Sequence, residues 1–130
     1  MNGPIWLRLD AVLEMHAESL REHGGPEGVH DMGLLESALA RPQNLFAYSE
    51  ETPSLSRLAA AYAKGLVASH AFVDGNKRTA FVTSLTFLSL NGMTVTASKE
   101  DRVVTFWKLA EGSFSEDHLA EWFERNTAPR

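Results

Sequence analysis

Residues 54–90, SLSRLAAAYAKGLVASHAFVDGNKRTAFVTSLTFLSL, decide the fold. Two apolar segments flank a polar turn. In the first, Leu58, Ala59, Tyr62, Ala63, Leu66 and Val67 recur at helical spacing, and His70 continues the stripe. This predicts a helix over residues 54–69. The second segment, residues 76–90, is apolar nearly all round, relieved only by Thr and Ser. That pattern predicts a helix at the centre of a bundle. Lys64 interrupts one apolar run, and Thr83, Ser84 and Thr86 the other. Neither reaches the roughly 18 residues that a membrane span needs.

Working outward, four more helices are predicted. The first runs from about Asp10 to His23, with Asp10 as N-cap and Gly24-Gly25 as a left-handed stop. A short second helix covers residues 33–40, capped by Asp31 and barred from continuing by Pro42. Residues 43–53 read as a loop carrying Phe46 and Tyr48. Two readings stay open for those rings: a docking edge for a partner, or packing on the body. The last two helices cover residues 99–110 and 116–125, each beginning after a serine. Trp107, Trp122 and Phe123 are expected in the core. Residues 93–97 alternate and predict a short strand beside Ile5-Trp6-Leu7, and the tail from Thr127 is expected to fray. The fold class is therefore all-α, about six helices around a central apolar helix with at most a short strand pair.

With 130 residues, 44% of them hydrophobic, the chain reads as one domain over residues 1–130, its core over about 5–125. A chain of this size buries about two thirds of its unfolded surface. It has no cysteine, which excludes a disulfide scaffold, thiolate zinc sites and a cysteine nucleophile. The formal net charge of −5 argues against broad nucleic-acid binding, and so against a ribonuclease, because such binding rests on Lys and Arg against phosphates. Met1-Asn2-Gly3-Pro4 lacks the basic and apolar blocks of an export signal, so a cytoplasmic location is expected.

The chemistry concentrates in His70-Ala71-Phe72-Val73-Asp74-Gly75-Asn76-Lys77-Arg78-Thr79. A helix starting near Asn76 points its first, unpartnered N–H groups back into this turn. Gly75 permits a close approach without a side chain. Lys77 and Arg78 in the first turn oppose the helix dipole unless an anion offsets them. Free amides and two cations together make a phosphate site. Asp74 at its lip suits Mg²⁺, which is held by one carboxylate plus phosphate oxygens and water. His70, with a reference pKa near ~6.5, suits proton abstraction. Singly, each residue has an ordinary structural reading: a half-buried histidine, an Asp-Gly-Asn turn, solvated charges. Jointly they suit transfer of a phosphate-containing group to a hydroxyl.

His70 to Arg78 resembles the Fic/Doc signature, H-x-F-x-[DE]-[AG]-N-[GK]-R, at every fixed position. Lys77 looks like the Doc (death-on-curing) branch; most Fic proteins have glycine there. Gly24-Gly25-Pro26-Glu27-Gly28, residues 33–43, residues 87–92 and residues 109–112 are also similar to bacterial Doc toxins. The resemblance implies an all-helical Fic fold and a toxin of a toxin–antitoxin pair. It implies transfer of the γ-phosphate of ATP to a threonine of elongation factor Tu, with AMP transfer as the runner-up and a non-catalytic antitoxin-binding regulator as the reading from another class. Carried over, His70 is the general base, Phe72 a core anchor and Asp74 the Mg²⁺ ligand. The amides of Gly75 and Asn76, with the Asn76 side chain, cradle phosphates, and Lys77 and Arg78 neutralise them. Phe46 and Tyr48 fall where such proteins align their target, though no motif matches there. His16, where Doc-like chains often carry a histidine, reads as core-facing. The inhibitory [ST]-x-x-x-E-[GN] helix has no match, so a Phd-like antitoxin in trans is the expected partner.

Overall fold

A computed structural model describes residues 3–130. Six helices run in the order α1 (Leu9–His23), α2 (Met32–Tyr48), α3 (Leu55–Ser69), α4 (Asn76–Leu90), α5 (Lys99–Glu111) and α6 (Glu116–Arg125). The strands β1 (Met93–Val95) and β2 (Thr127–Pro129) form the one small sheet among the described residues. The fold class is thus the expected all-α bundle. No helix among the described residues is long and apolar enough to cross a membrane.

Local chemistry starts most helices where the sequence predicts. Asp31 accepts the Leu34 N–H at 3.0 Å, and Ser54, Ser98 and Ser115 accept N–H groups three residues on. Gly24 and Gly112, both at positive φ, close α1 and α5. Asp10 does not cap α1. Arg8 holds that position, and Asp10 lies in the first turn, paired with the Arg8 guanidinium at 3.1 Å.

The most enclosed helix is α3 rather than α4. Every residue from Leu58 to Ala63 is fully buried, and α2, α4, α5 and α6 all pack on it. Its alanines let neighbouring backbones approach. α4 lays Thr79, Ala80, Thr83, Ser84, Phe87 and Leu88 against the core, while Val82 and Leu90 face outward. Its continuous apolarity therefore covers one buried face and one grooved face.

Three expectations fail for tertiary reasons. Pro42 does not end α2, which runs on to Tyr48 and so replaces the expected loop. A proline inside a helix costs about 3 kcal/mol through its lost N–H and ring clash. Here the Pro42 ring is itself buried, and the extra turns bring Leu45 and Phe46 onto the core. Trp107 is 54% exposed: α5 buries Phe106 and Leu109, and one residue's offset turns the indole to the other face. The strand's partner is the tail, not Ile5-Trp6-Leu7. β1 and β2 pair antiparallel with Met93 opposite Pro129, and the Arg130 N–H reaches the Gly92 carbonyl at 2.8 Å. The Ile5 backbone is gripped instead by the Asn91 side chain, at 2.8 and 3.0 Å. The next two residues insert: Trp6 stacks on Phe87, and the Leu7 N–H donates to the buried Tyr62 hydroxyl, whose pKa burial pushes up.

Thr83 lies fully buried with a hydroxyl that has no partner among the described residues. Thr83→Val keeps the shape and removes the unpaired group, so urea unfolding is expected to show a gain of about 1 kcal/mol. A loss would mean that the hydroxyl is hydrogen-bonded.

Candidate active site

The site forms where α3 ends and α4 begins. His70 closes α3 in the left-handed region, at φ 49° and ψ 41°, the one non-glycine residue with positive φ among the described residues. Such a conformation persists only where the surroundings enforce it. The chain turns sharply there, and the imidazole stays exposed to solvent.

The next residues dive inward. Ala71 and Phe72 are buried, and the segment before α2 pins them. The Ala71 carbonyl accepts the N–H groups of His30 at 2.7 Å and Asp31 at 3.1 Å. Val29 bridges Phe72 in antiparallel fashion, and the Val73 N–H reaches the Gly28 carbonyl at 3.1 Å. The Phe72 ring lies parallel to the His16 imidazole, centroids 3.8 Å apart. Phe72 is thus the expected anchor, and His16, 5% exposed, is core-facing as expected. His16 also has a second role: its Nε2–H donates to the Asp74 carbonyl at 2.7 Å.

Gly75, at φ 80° and ψ 17°, caps α4, and no side chain caps the helix start. The Gly75 N–H donates to the Asp74 carboxylate at 2.8 Å. The following amides, of Asn76, Lys77 and Arg78, precede the first intrahelical bond and face the loop. The Arg78 guanidinium is tethered to α1 through Ser19 Oγ at 3.0 Å, and Lys77 is exposed. Neither cation forms an ion pair among the described residues. Amides and uncompensated positive charge thus converge on one helix end, the arrangement that receives phosphate. Both cations also line a groove of about 520 Å³ between α1, α4 and α5, floored by Phe81 and Phe106.

The Asn76 side chain is placed differently from the expectation. Its carboxamide accepts the Phe72 N–H at 3.0 Å and donates to the Phe72 carbonyl at 2.9 Å. It clamps the loop instead of facing a phosphate. Phe46 and Tyr48 also do not join the site. They sit on the last turn of α2; Phe46 packs edge-on against Trp6, and Tyr48 is 84% exposed. The fifteen residues of α3, about 22 Å of helix, separate that end of the molecule from His70.

Asp74 is half-buried, and a methyl group on Gly25 would overlap its Oδ2. Gly25 therefore gives the carboxylate its room, a role not evident from the glycine's place in a turn. Among the described residues no three His, Cys, Asp or Glu side chains cluster to hold a metal. A single carboxylate beside a phosphate cradle still fits Mg²⁺, which draws its other ligands from phosphates and water. Sequence reasoning missed Ser19, Gly25 and the bond from His16 to Asp74. The available signal was a His and a Ser, three residues apart, on the apolar stripe of α1.

Comparison with known proteins places the chain in a family. The model of the Fic/DOC family matches residues 6–88. "Toxin Doc" of Mycolicibacterium smegmatis is 46% identical over 74 residues, 57% of this chain and 57% of that protein, so this match spans little more than half of either. "Protein kinase doc" of Escherichia phage P1 is 33% identical over 116 residues, 89% of this chain and 90% of that protein.

Removing the Asn76 carboxamide leaves a buried N–H and carbonyl of Phe72 unpaired. Asn76→Ala is expected to cost about 2 kcal/mol of unfolding free energy, and Asn76→Asp, which keeps the acceptor only, less. Urea denaturation checks the order, and equal stability of all three proteins would refute the clamp.

Proposed function

The chain belongs to the Fic/DOC family, and on that footing we propose that it is the toxin of a bacterial toxin–antitoxin pair. Its activity is transfer of the γ-phosphate of ATP to a threonine hydroxyl of elongation factor Tu, which stops translation. The observation that carries this reading is the exposed His70 beside the uncapped start of α4, with Lys77 and Arg78 in no ion pair among the described residues. The name of the phage P1 relative, a protein kinase, supports the same chemistry.

His70 takes the proton of the acceptor hydroxyl as the threonine oxygen attacks the γ-phosphorus. The bond from that phosphorus to the β-bridging oxygen breaks, and ADP leaves. Charge on the transferring group is met by the α4 amides and Arg78, already oriented before reaction, and by Lys77. Asp74 would hold Mg²⁺ on the protein side, and the ion would supply further positive charge to the phosphate oxygens. Lys77 sets the nucleotide's direction. Glycine at this place leaves room for phosphates beyond the one attacked, so the α-phosphate can face the base. A lysine fills part of that room and favours the γ-phosphate near His70. Restraint by a Phd-like antitoxin in trans fits the family, and the [ST]-x-x-x-E-[GN] pattern has no match in residues 1–130.

Purified protein incubated with elongation factor Tu and labelled ATP is expected to move γ-label, not α-label, onto the factor. His70→Ala is expected to lower the rate by about 10²–10⁴-fold and to relieve growth arrest. Retention of α-label would overturn phosphate transfer in favour of AMP transfer. Arrest undiminished by His70→Ala would favour a binding module.

A further inference from the structure

We propose that His16 is a positioning residue that latches the Asp74–Gly75 peptide with its N–H turned toward the phosphate. This rests on the nucleotide reading of the site and identifies what holds it in working form. Gly75 has the dihedral angles of the third residue of a type II turn. The alternative type I turn differs by a flip of the peptide between the second and third residues. That flip would aim the Asp74 carbonyl at the phosphate and withdraw the Gly75 N–H. A glycine accepts either sign of φ, so residue 75 itself does not select the orientation.

His16 selects it. Its imidazole is buried and held flat on Phe72, and Nε2 lies 2.7 Å from the Asp74 oxygen. Carbonyl oxygens only accept, so Nε2 carries the proton. In a planar trans peptide the C=O and N–H point in opposite directions. Drawing the Asp74 carbonyl toward His16 therefore turns the Gly75 N–H away from His16. There Asp74 Oδ1 takes it at 2.8 Å. That bond must yield when the carboxylate turns to a cation or an anion claims the amide. The bond to His16 lies on the other side of the peptide and survives that exchange.

Two variants separate the donor from the ring. His16→Phe keeps the stack on Phe72 and removes the donor, whereas His16→Gln keeps an N–H at similar reach and loses the stack. Binding of Mg·ATP is expected to weaken about tenfold in His16→Phe, the worth of one buried hydrogen bond, and to stay within about twofold of the parent in His16→Gln. The Gly75 amide signal in a ¹⁵N–¹H spectrum is expected to double or broaden in His16→Phe alone. An unchanged Gly75 signal together with unchanged affinity in His16→Phe would overturn the latch. Should His16→Phe fail to fold, His16→Met replaces it: the latch requires Met to weaken binding and Gln to preserve it, and equal affinities refute it. If the parent itself binds no Mg·ATP, the nucleotide reading falls, while the Gly75 signal still decides the latch.

Discussion

Burial of Phe72 is the constraint from which the site follows. Its ring is pressed on His16, its own N–H and carbonyl are taken up by Asn76, and its neighbours Ala71 and Val73 are bonded to His30, Asp31 and Gly28. With that residue driven inward, the chain on either side must turn outward within a few residues. One turn puts His70 into the left-handed region at the end of α3, and the other puts Gly75 there at the start of α4. Two helix ends of opposite character thus meet at one small surface. The imidazole belongs to the C-terminal end and the free amides to the N-terminal end, so the two are brought together without long loops.

The electrostatics of that surface are unbalanced in a way that stability alone does not explain. Cations in the first turn oppose the helix dipole. Lys77 and Arg78 sit there, and Arg78 is oriented by a serine hydroxyl instead of a carboxylate. Arg8, Arg21, Arg41 and Arg57 find carboxylates, whereas Lys64, Lys99, Arg102, Lys108, Arg125 and Arg130 form no ion pair among the described residues; what distinguishes Lys77 and Arg78 is their place in the first turn of α4. Two cations without an ion pair among the described residues, beside free amides, are a feature that an arriving anion would offset.

Much of this was legible in the sequence because it is local. The caps at Asp31 and Ser115, the stop at Gly24 and the helical stripes depend on residues within a few positions of one another. The motif from His70 to Arg78 was legible for the same reason. What escaped depends on distant partners. The penalty of Pro42 is local, but what offsets it, burial of Leu45 and Phe46, comes from the packed body of the fold. The partner of β1 is a tail more than thirty residues later. His16 read as an inward-facing histidine, and it is one. Its bond to Asp74 spans 58 residues of chain, which no periodicity reports. Asn76 carried the opposite lesson: the motif marked it, and the fold spends its carboxamide on the loop itself.

The most direct test is a crystal structure of the protein with Mg²⁺ and a non-hydrolysable ATP analogue. The account predicts phosphate oxygens on the amides at the start of α4, the metal against Asp74, and the terminal phosphate nearest the His70 imidazole. A nucleotide bound away from α4, or bound there with its α-phosphate facing His70, would contradict it.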